Sequence, residues 1–268
     1  MSVHEDLRKK LLLEKQLSPE LKRYHAMLLR RFTDLYARIG ATLTMRQFDD
    51  QLTAILENHY AAAKAAFTGS ISGDMPPEAA LTKPEQAAIA AALVAYFSRT
   101  AKKRAEQINQ TTADDLQTAV RLAVETQQPD KPPLSRVEVA FLAAGIAHRV
   151  LSNRAESIMV TETQLPSEAT KATEAEVLLG LTPTVSGGGH RVEQATKQWD
   201  SVGDNRVREG HLAADGQQVP VNEPFIVDGE SLMFPGDTSL GASTGNVINC
   251  RCSASYNTAE IAEQRQEV

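Results

Sequence analysis

The sequence is poor in cysteine and aromatic residues, with two Cys and one Trp, and it has no excess of positive charge. The two cysteines stand one residue apart, at Cys250 and Cys252. A bridge between them would close a cramped ring and tie nothing distant, so a disulfide framework is excluded and a reducing compartment is expected. A net charge of −6 rules out a surface built to coat nucleic acid; any contact with phosphate must be local. The longest uncharged apolar run, 87–97, is about half of the ~20 residues that a membrane-spanning helix needs. Glu5, Asp6, Arg8, Lys9 and Lys10 leave no apolar signal-peptide core at the start, which points to the cytosol of the producing cell. No phosphate-binding glycine loop, nucleophile elbow or His-Glu-x-x-His helix occurs, so the commoner enzyme classes have no support.

What the sequence does contain is helix-forming pattern over its first two thirds. Leu7, Leu11, Leu13 and Leu17 mark a first helix ended by Ser18-Pro19. Leu21, Tyr24, Leu28, Phe32, Leu35 and Ile39 mark a second, and Met45, Phe48, Leu52, Ile55, Tyr60, Ala63 and Phe67 a third, packed as an antiparallel hairpin. His25 and His59 on these helices read as packing or solvent-facing residues. Gly69, Gly73, Pro76, Pro77 and Pro84 predict a mobile linker over 69–83. A helix follows from Pro84 to about Gln110, and Thr112-Ala113-Asp114-Asp115 reads as the cap of another. From Ser135 a long helix aligns Val137, Phe141, Gly145, His148 and Leu151, with His148 expected in the core. Pro166 ends the next segment, a further helix spans 167–179, and Gly187-Gly188-Gly189 is a hinge.

In the basic N-terminal arm Arg8, Lys9, Lys10, Lys22 and Arg23 are candidates for contact with double-stranded DNA or an acidic partner; a solvated helix face is the simpler account of the same residues. After the glycines the pattern shortens into turn-punctuated pieces: a strand within 192–200, a short helix within 205–214, an extended piece over 217–221, a hairpin at Asp228-Gly229 and a last strand within 249–256. The polar stretch 257–268 is expected to be a flexible tail. The fold class is therefore α+β, divided as 1–68 helical arm and hairpin, 69–83 linker, 84–186 helical domain, 187–256 small mixed α/β domain with short strands, and 257–268 tail.

The chemistry-bearing residues concentrate in that small domain. His190, His211, Cys250 and Cys252 are a candidate zinc site, because thiolates and imidazoles are the preferred ligands of that ion. Two reduced core cysteines explain the same pair. Asp204, Arg206, Arg208 and His211 supply a carboxylate, two cations and a base, enough for phosphodiester or ADP-ribosyl chemistry if they converge. The alternative is a structural cluster in which Asp-Arg pairs pin a turn-rich fold anchored by Trp199.

Taken in order, Trp199-Asp200, Asp204-Asn205-Arg206-Val207-Arg208, His211, Asp215-Gly216-Gln217, Pro224-Phe225, Asp228-Gly229, Pro235-Gly236-Asp237, Gly241 and Ile248-Asn249-Cys250-Arg251-Cys252 resemble the C-terminal domain of phage Mu F-like minor head proteins, the phage head morphogenesis family. Arg154-Ala155-Glu156-Ser157-Ile158 with Thr161-Glu162-Thr163 resembles the helix that precedes that domain, with Met159-Val160 where the family has Ala-Arg. The resemblance covers about 154–256. It implies a non-enzymatic virion component of tailed phages, associated with the portal protein inside the head. Coat or scaffolding protein and packaged DNA are the further partners it suggests, with no membrane, and with the host cytoplasm as the place of assembly.

Overall fold

The computed structural model describes residues 3–126, 131–181, 183 and 195–266. The chain is α+β, with long helices first and short antiparallel strands near the end. Helix α1, Val3–Ile39, buries Leu13, Leu17, Leu21, Tyr24, Leu28 and Phe32 at spacings of three and four. The expected break at Ser18-Pro19 does not occur, and Pro19 sits exposed inside α1. The buried stripe keeps its phase across the proline, and several leucines at about 1.5–3 kcal/mol each outweigh the ~3 kcal/mol that an interior proline costs. Gly40, at φ 71°, ends the helix by donating its N–H to the Tyr36 carbonyl at 2.8 Å. A 3-10 turn, Met45–Phe48, leads into α2, Asp49–Phe67, whose buried face is Leu52, Leu56, Tyr60, Ala63 and Phe67; Leu56 takes the place expected for the half-buried Ile55.

The segment read as a mobile linker is a fixed part of the fold. Two 3-10 turns, Ser72–Asp74 and Pro77–Ala79, bring Ile71, Met75 and Ala79 into a core with Ala175, Leu178, Ala195, Val221 and Ile261. Its glycines and prolines make the turns, and apolar residues four apart between them do the docking. Helix α3, Lys83–Glu125, starts with a capping box in which Glu85 accepts the N–H and hydroxyl of Thr82. It is one helix rather than two: Thr112 donates its hydroxyl back to the Ile108 carbonyl at 2.8 Å instead of capping a new start.

Helix α4, Arg136–Leu178, is likewise capped by Ser135 with Glu138 and continues through Pro166. Its core face is Ala140, Ala143, Ala147, Leu151, Ala155 and Ile158, while Val137, Phe141 and His148 are exposed. Of the expected stripe only Leu151 keeps its place in the core; alanines let neighbouring helices approach closely, so the smaller residues take the rest. From Thr161 to Leu178 every residue of α4 is buried, Thr, Gln, Glu and Lys included. Gly180, at φ 67°, closes the helix with Leu181 N–H on the Glu176 carbonyl at 2.8 Å.

Strands β1, Thr196–Asp200, β2, Gln218–Pro220, and β5, Ser253–Tyr256, form an antiparallel sheet in the order β2-β1-β5. Strands β3, Phe225–Val227, and β4, Glu230–Leu232, form the expected hairpin, whose turn places Asp228 and Gly229 at φ 50° and 75°. Short helices α5, Glu209–Ala213, and α6, Thr244–Val247, connect these strands. The expected tail is instead helix α7, Thr258–Gln266, anchored by buried Ile261 and by Arg265, which donates to Glu85 and to the Leu178 carbonyl. The Gly187-Gly188-Gly189 hinge and His190 lie outside the described residues.

The chain contacts define two compact units. The first comprises Met1–Glu14, Asn58–Arg99 and Ile158–Val268, and the second Lys15–Glu57 and Thr100–Ser157. These units interleave along the chain, whereas the division read from the sequence was consecutive. The second unit is a helical core of Leu17, Leu21, Leu28, Phe32, Phe48, Leu52, Leu116 and Leu151, with one buried polar chain in which Tyr24 donates to Asn109 at 2.6 Å and Asn109 to Asp49 at 2.8 Å.

Candidate metal centre

The small core of the first unit gathers Trp199 of β1, Phe225, Val227, Leu232, Ala254 and both cysteines. Extended backbone alternates its side chains, so Cys250 and Cys252 point the same way and both sulfurs reach this core. Asn249, at φ 57°, sets the turn just before them, and its N–H donates to Thr161 Oγ1 of α4 at 3.0 Å. Helix α5 supplies His211, which is 2% exposed. Its preceding residue, Gly210, lies so close to the hairpin turn that an added Cβ would come within 2.7 Å of Asp228 Cβ, which fixes how deep α5 sits.

His211 Nδ1 lies 3.5 Å from Cys252 Sγ and 3.7 Å from Cys250 Sγ. On the other side of the ring, Nε2 is 3.3 Å from Asn246 Oδ1. Asn246 donates its amide to the Val227 carbonyl at 3.1 Å and to Glu230 at 2.7 Å, so its oxygen is left to accept from His211. That assigns the proton to Nε2 and turns the Nδ1 lone pair toward the sulfurs. Trp199 packs edge-on against the imidazole, at 5.5 Å between ring centroids. The two thiols share a proton: Cys250 is pulled down to about 5, chiefly by the bond from Cys252, against the effect of burial. The same bond and burial push Cys252 up. The ligand atoms of His211, Cys250 and Cys252 all lie within 4.8 Å of one another, so three of the four predicted ligands come together.

The set Asp204, Arg206, Arg208 and His211 does not gather. Asp204 pairs instead with Arg251, in two bonds of 2.6 and 2.8 Å, and those bonds hold its carboxyl at about 2. Arg206 is exposed, with its backbone N–H on Asp204 at 3.0 Å. Arg208 donates to the Ile248 carbonyl, tying the start of α5 to the loop after α6. His211 is buried among sulfur and indole. These are the contacts of a pinned fold, with Trp199 fully buried at its centre.

Sequence reasoning missed the polar ring around α4. Lys10 donates to Glu168 at 2.7 Å, Gln164 at 2.8 Å, Ser253 Oγ at 3.2 Å and the Cys252 carbonyl at 3.3 Å. Lys171 pairs with Asp6 and with Glu168 at 3.1 Å, and donates to the Ala254 carbonyl at 2.9 Å. Glu168 accepts the Ala254 N–H at 2.9 Å. Two cations and two carboxylates, each 5% exposed or less at the side chain, thus lock Cys252 and the start of β5 to α1 and α4. A signal was present: Asp6 and Lys10 continue the phase of Leu13 and Leu17, and Gln164, Glu168 and Lys171 repeat at four and three. Lys10 is therefore committed inside the protein, which leaves Arg8, Lys22 and Arg23 exposed and Lys9 half-buried over the Phe67 ring.

Residues 139–255 match the family described as phage Mu protein F like protein. The match covers just under half of the chain and takes in nearly all of α4, His211, Cys250, Cys252, Asp204 and Arg251. No curated protein and no solved structure matches the chain. Among the described residues, no helix is long and apolar enough to cross a membrane.

Proposed function

We propose that the protein is a minor, non-enzymatic component of a tailed-phage virion. It sits inside the head at the portal, assembles there in the host cytoplasm, and serves genome packaging or ejection. The family match over 139–255 is the observation that carries this reading. The second unit supports it with an exposed apolar line on α4, where Phe141 is 66% and Val137 49% exposed, a surface suited to a protein partner such as the portal. Coat or scaffolding protein is the further protein partner. Exposed Arg8, Lys22 and Arg23 in an acidic chain suit a local contact with packaged DNA, which would show as a salt-dependent affinity that falls when they are neutralised.

Co-expression of the tagged chain with portal protein, followed by pull-down and by sedimentation of assembled heads, tests the reading. The chain is expected in both fractions, and Phe141→Glu is expected to deplete it from the portal fraction while its circular dichroism stays unchanged. Absence of the wild-type chain from both portal and heads would overturn the proposal.

A further inference from the structure

The His211, Cys250 and Cys252 set has the dimensions of an ion site. Tetrahedral zinc, with bonds of about 2.3 Å to sulfur and ~2.0–2.1 Å to nitrogen, places a sulfur ligand and a nitrogen ligand about 3.5 Å apart. The two Sγ to Nδ1 distances are 3.5 and 3.7 Å. We infer that His211 Nδ1, Cys250 Sγ and Cys252 Sγ are three ligands of a zinc ion, and that one further donor completes its coordination.

Three features beyond the grouping itself support the assignment. Asn246, itself buried, accepts from Nε2 and is held by Val227 and Glu230, which is the outer-shell bond that orients a metal-ligating imidazole. Donor chemistry selects the metal: two thiolates and an imidazole suit zinc, whereas magnesium and calcium require oxygen. Finally, the ligands come from α5, the loop after α6 and the edge of β5, all fixed from outside by the Asn249–Thr161 bond, the Arg208–Ile248 bond and the ionic ring at Ser253 and Ala254. The three ligands are held without the metal, so the ion would find its geometry already set. The inference is independent of the head-assembly reading, since a zinc site here is compatible with any role of the domain.

The test uses the full chain, purified without chelator and under reducing conditions. Elemental analysis is expected to give about one zinc per chain. The apo protein, titrated with Co²⁺, is expected to develop the sulfur-to-metal charge-transfer band and the intense visible bands of a tetrahedral thiolate site. Asn246→Ala keeps all three ligands and is expected to weaken zinc binding by roughly 10–100-fold. Cys250→Ser and Cys252→Ser are each expected to abolish the charge-transfer band or reduce it. Because those variants risk unfolding, the cobalt titration of the wild-type chain decides the matter. No zinc in the purified chain together with no cobalt spectrum from its reduced form would overturn the inference, as would a mass lower by two hydrogens that marks a Cys250–Cys252 disulfide in freshly purified protein.

Discussion

The second unit is held by ladders of Leu and Phe with one short polar chain through Tyr24, Asn109 and Asp49, whereas the first is built around a stretch of α4 in which Glu162, Gln164, Glu168, Lys171 and Glu174 are all buried and bonded. Apolar packing asks for volume and shape, and tolerates exchange among similar side chains. A buried ionic ring asks for one partner at one distance, because desolvated charge left unpaired costs more than the pair gains. The first unit therefore trades tolerance for a single arrangement, and it does so where β5 must be placed for Cys252 to reach His211.

The largest effect that would separate the units is expected from Glu168→Gln, which keeps the shape and removes one charge from the ring. It should cost about 3–5 kcal/mol, because Lys10 and Lys171 are then left with one carboxylate between them. Hydrogen exchange read peptide by peptide checks it: protection should fall in α4 beyond Thr161 and in β5, and hold in residues 17–32. Equal loss in both units would break the comparison.

Next in size is acid sensitivity, which both units share. Burial lowers His59 in the first unit and His25 in the second from 6.5 to about 4, with Arg154 adding to the shift at His25. Between those pH values the unfolded chain binds protons that the folded chain refuses. This contribution to stability is full above pH 6.5 and is lost as the pH falls toward 4, at about 3 kcal/mol for each histidine. Denaturant titrations at pH 7 and pH 4.5 measure it. His25→Phe should flatten the acid limb in peptides of the second unit and leave that of the first, while an unchanged limb in the second unit would assign its acid loss to other groups.

The smallest change is expected from Leu28→Met in the second unit, a swap of nearly equal volume at a fully buried site, which should cost less than about 1.5 kcal/mol. A loss of 3 kcal/mol or more in urea denaturation would mean that the ladders are as exacting as the ions.

Much of the small domain was legible because its signals are local. The Asp228-Gly229 dipeptide demands positive φ at both positions and made its hairpin, and the cysteine and histidine chemistry pointed to the grouping observed. The misread elements are those in which a local rule met a stronger distant one. Pro19, Pro166 and Thr112 all carry helix-ending or helix-starting signals, and all lie inside helices whose buried face runs on. Gly69 to Pro84 reads as linker by composition, but Ile71, Met75 and Ala79 supply the docking face. Phe141 has the helical spacing of a stripe that ends in buried Leu151, yet the alanine face of α4 carries most of the burial. Arg251 as the partner of Asp204, and Lys10 as the partner of Glu168, span separations of 47 and 158 residues that no local pattern encodes.

The ring also ties together positions far apart in the sequence. Asp6 and Ser253 share a hydrogen bond across 247 positions of sequence. Ser157, the last residue of the second unit, is polymerised long before Ala254, an interval of about 5–20 s at ~5–20 residues per second. Through that interval Asp6 and Lys10 wait as solvated charges on a nascent helix, and the first unit can close only once strand β5 has cleared the ribosome.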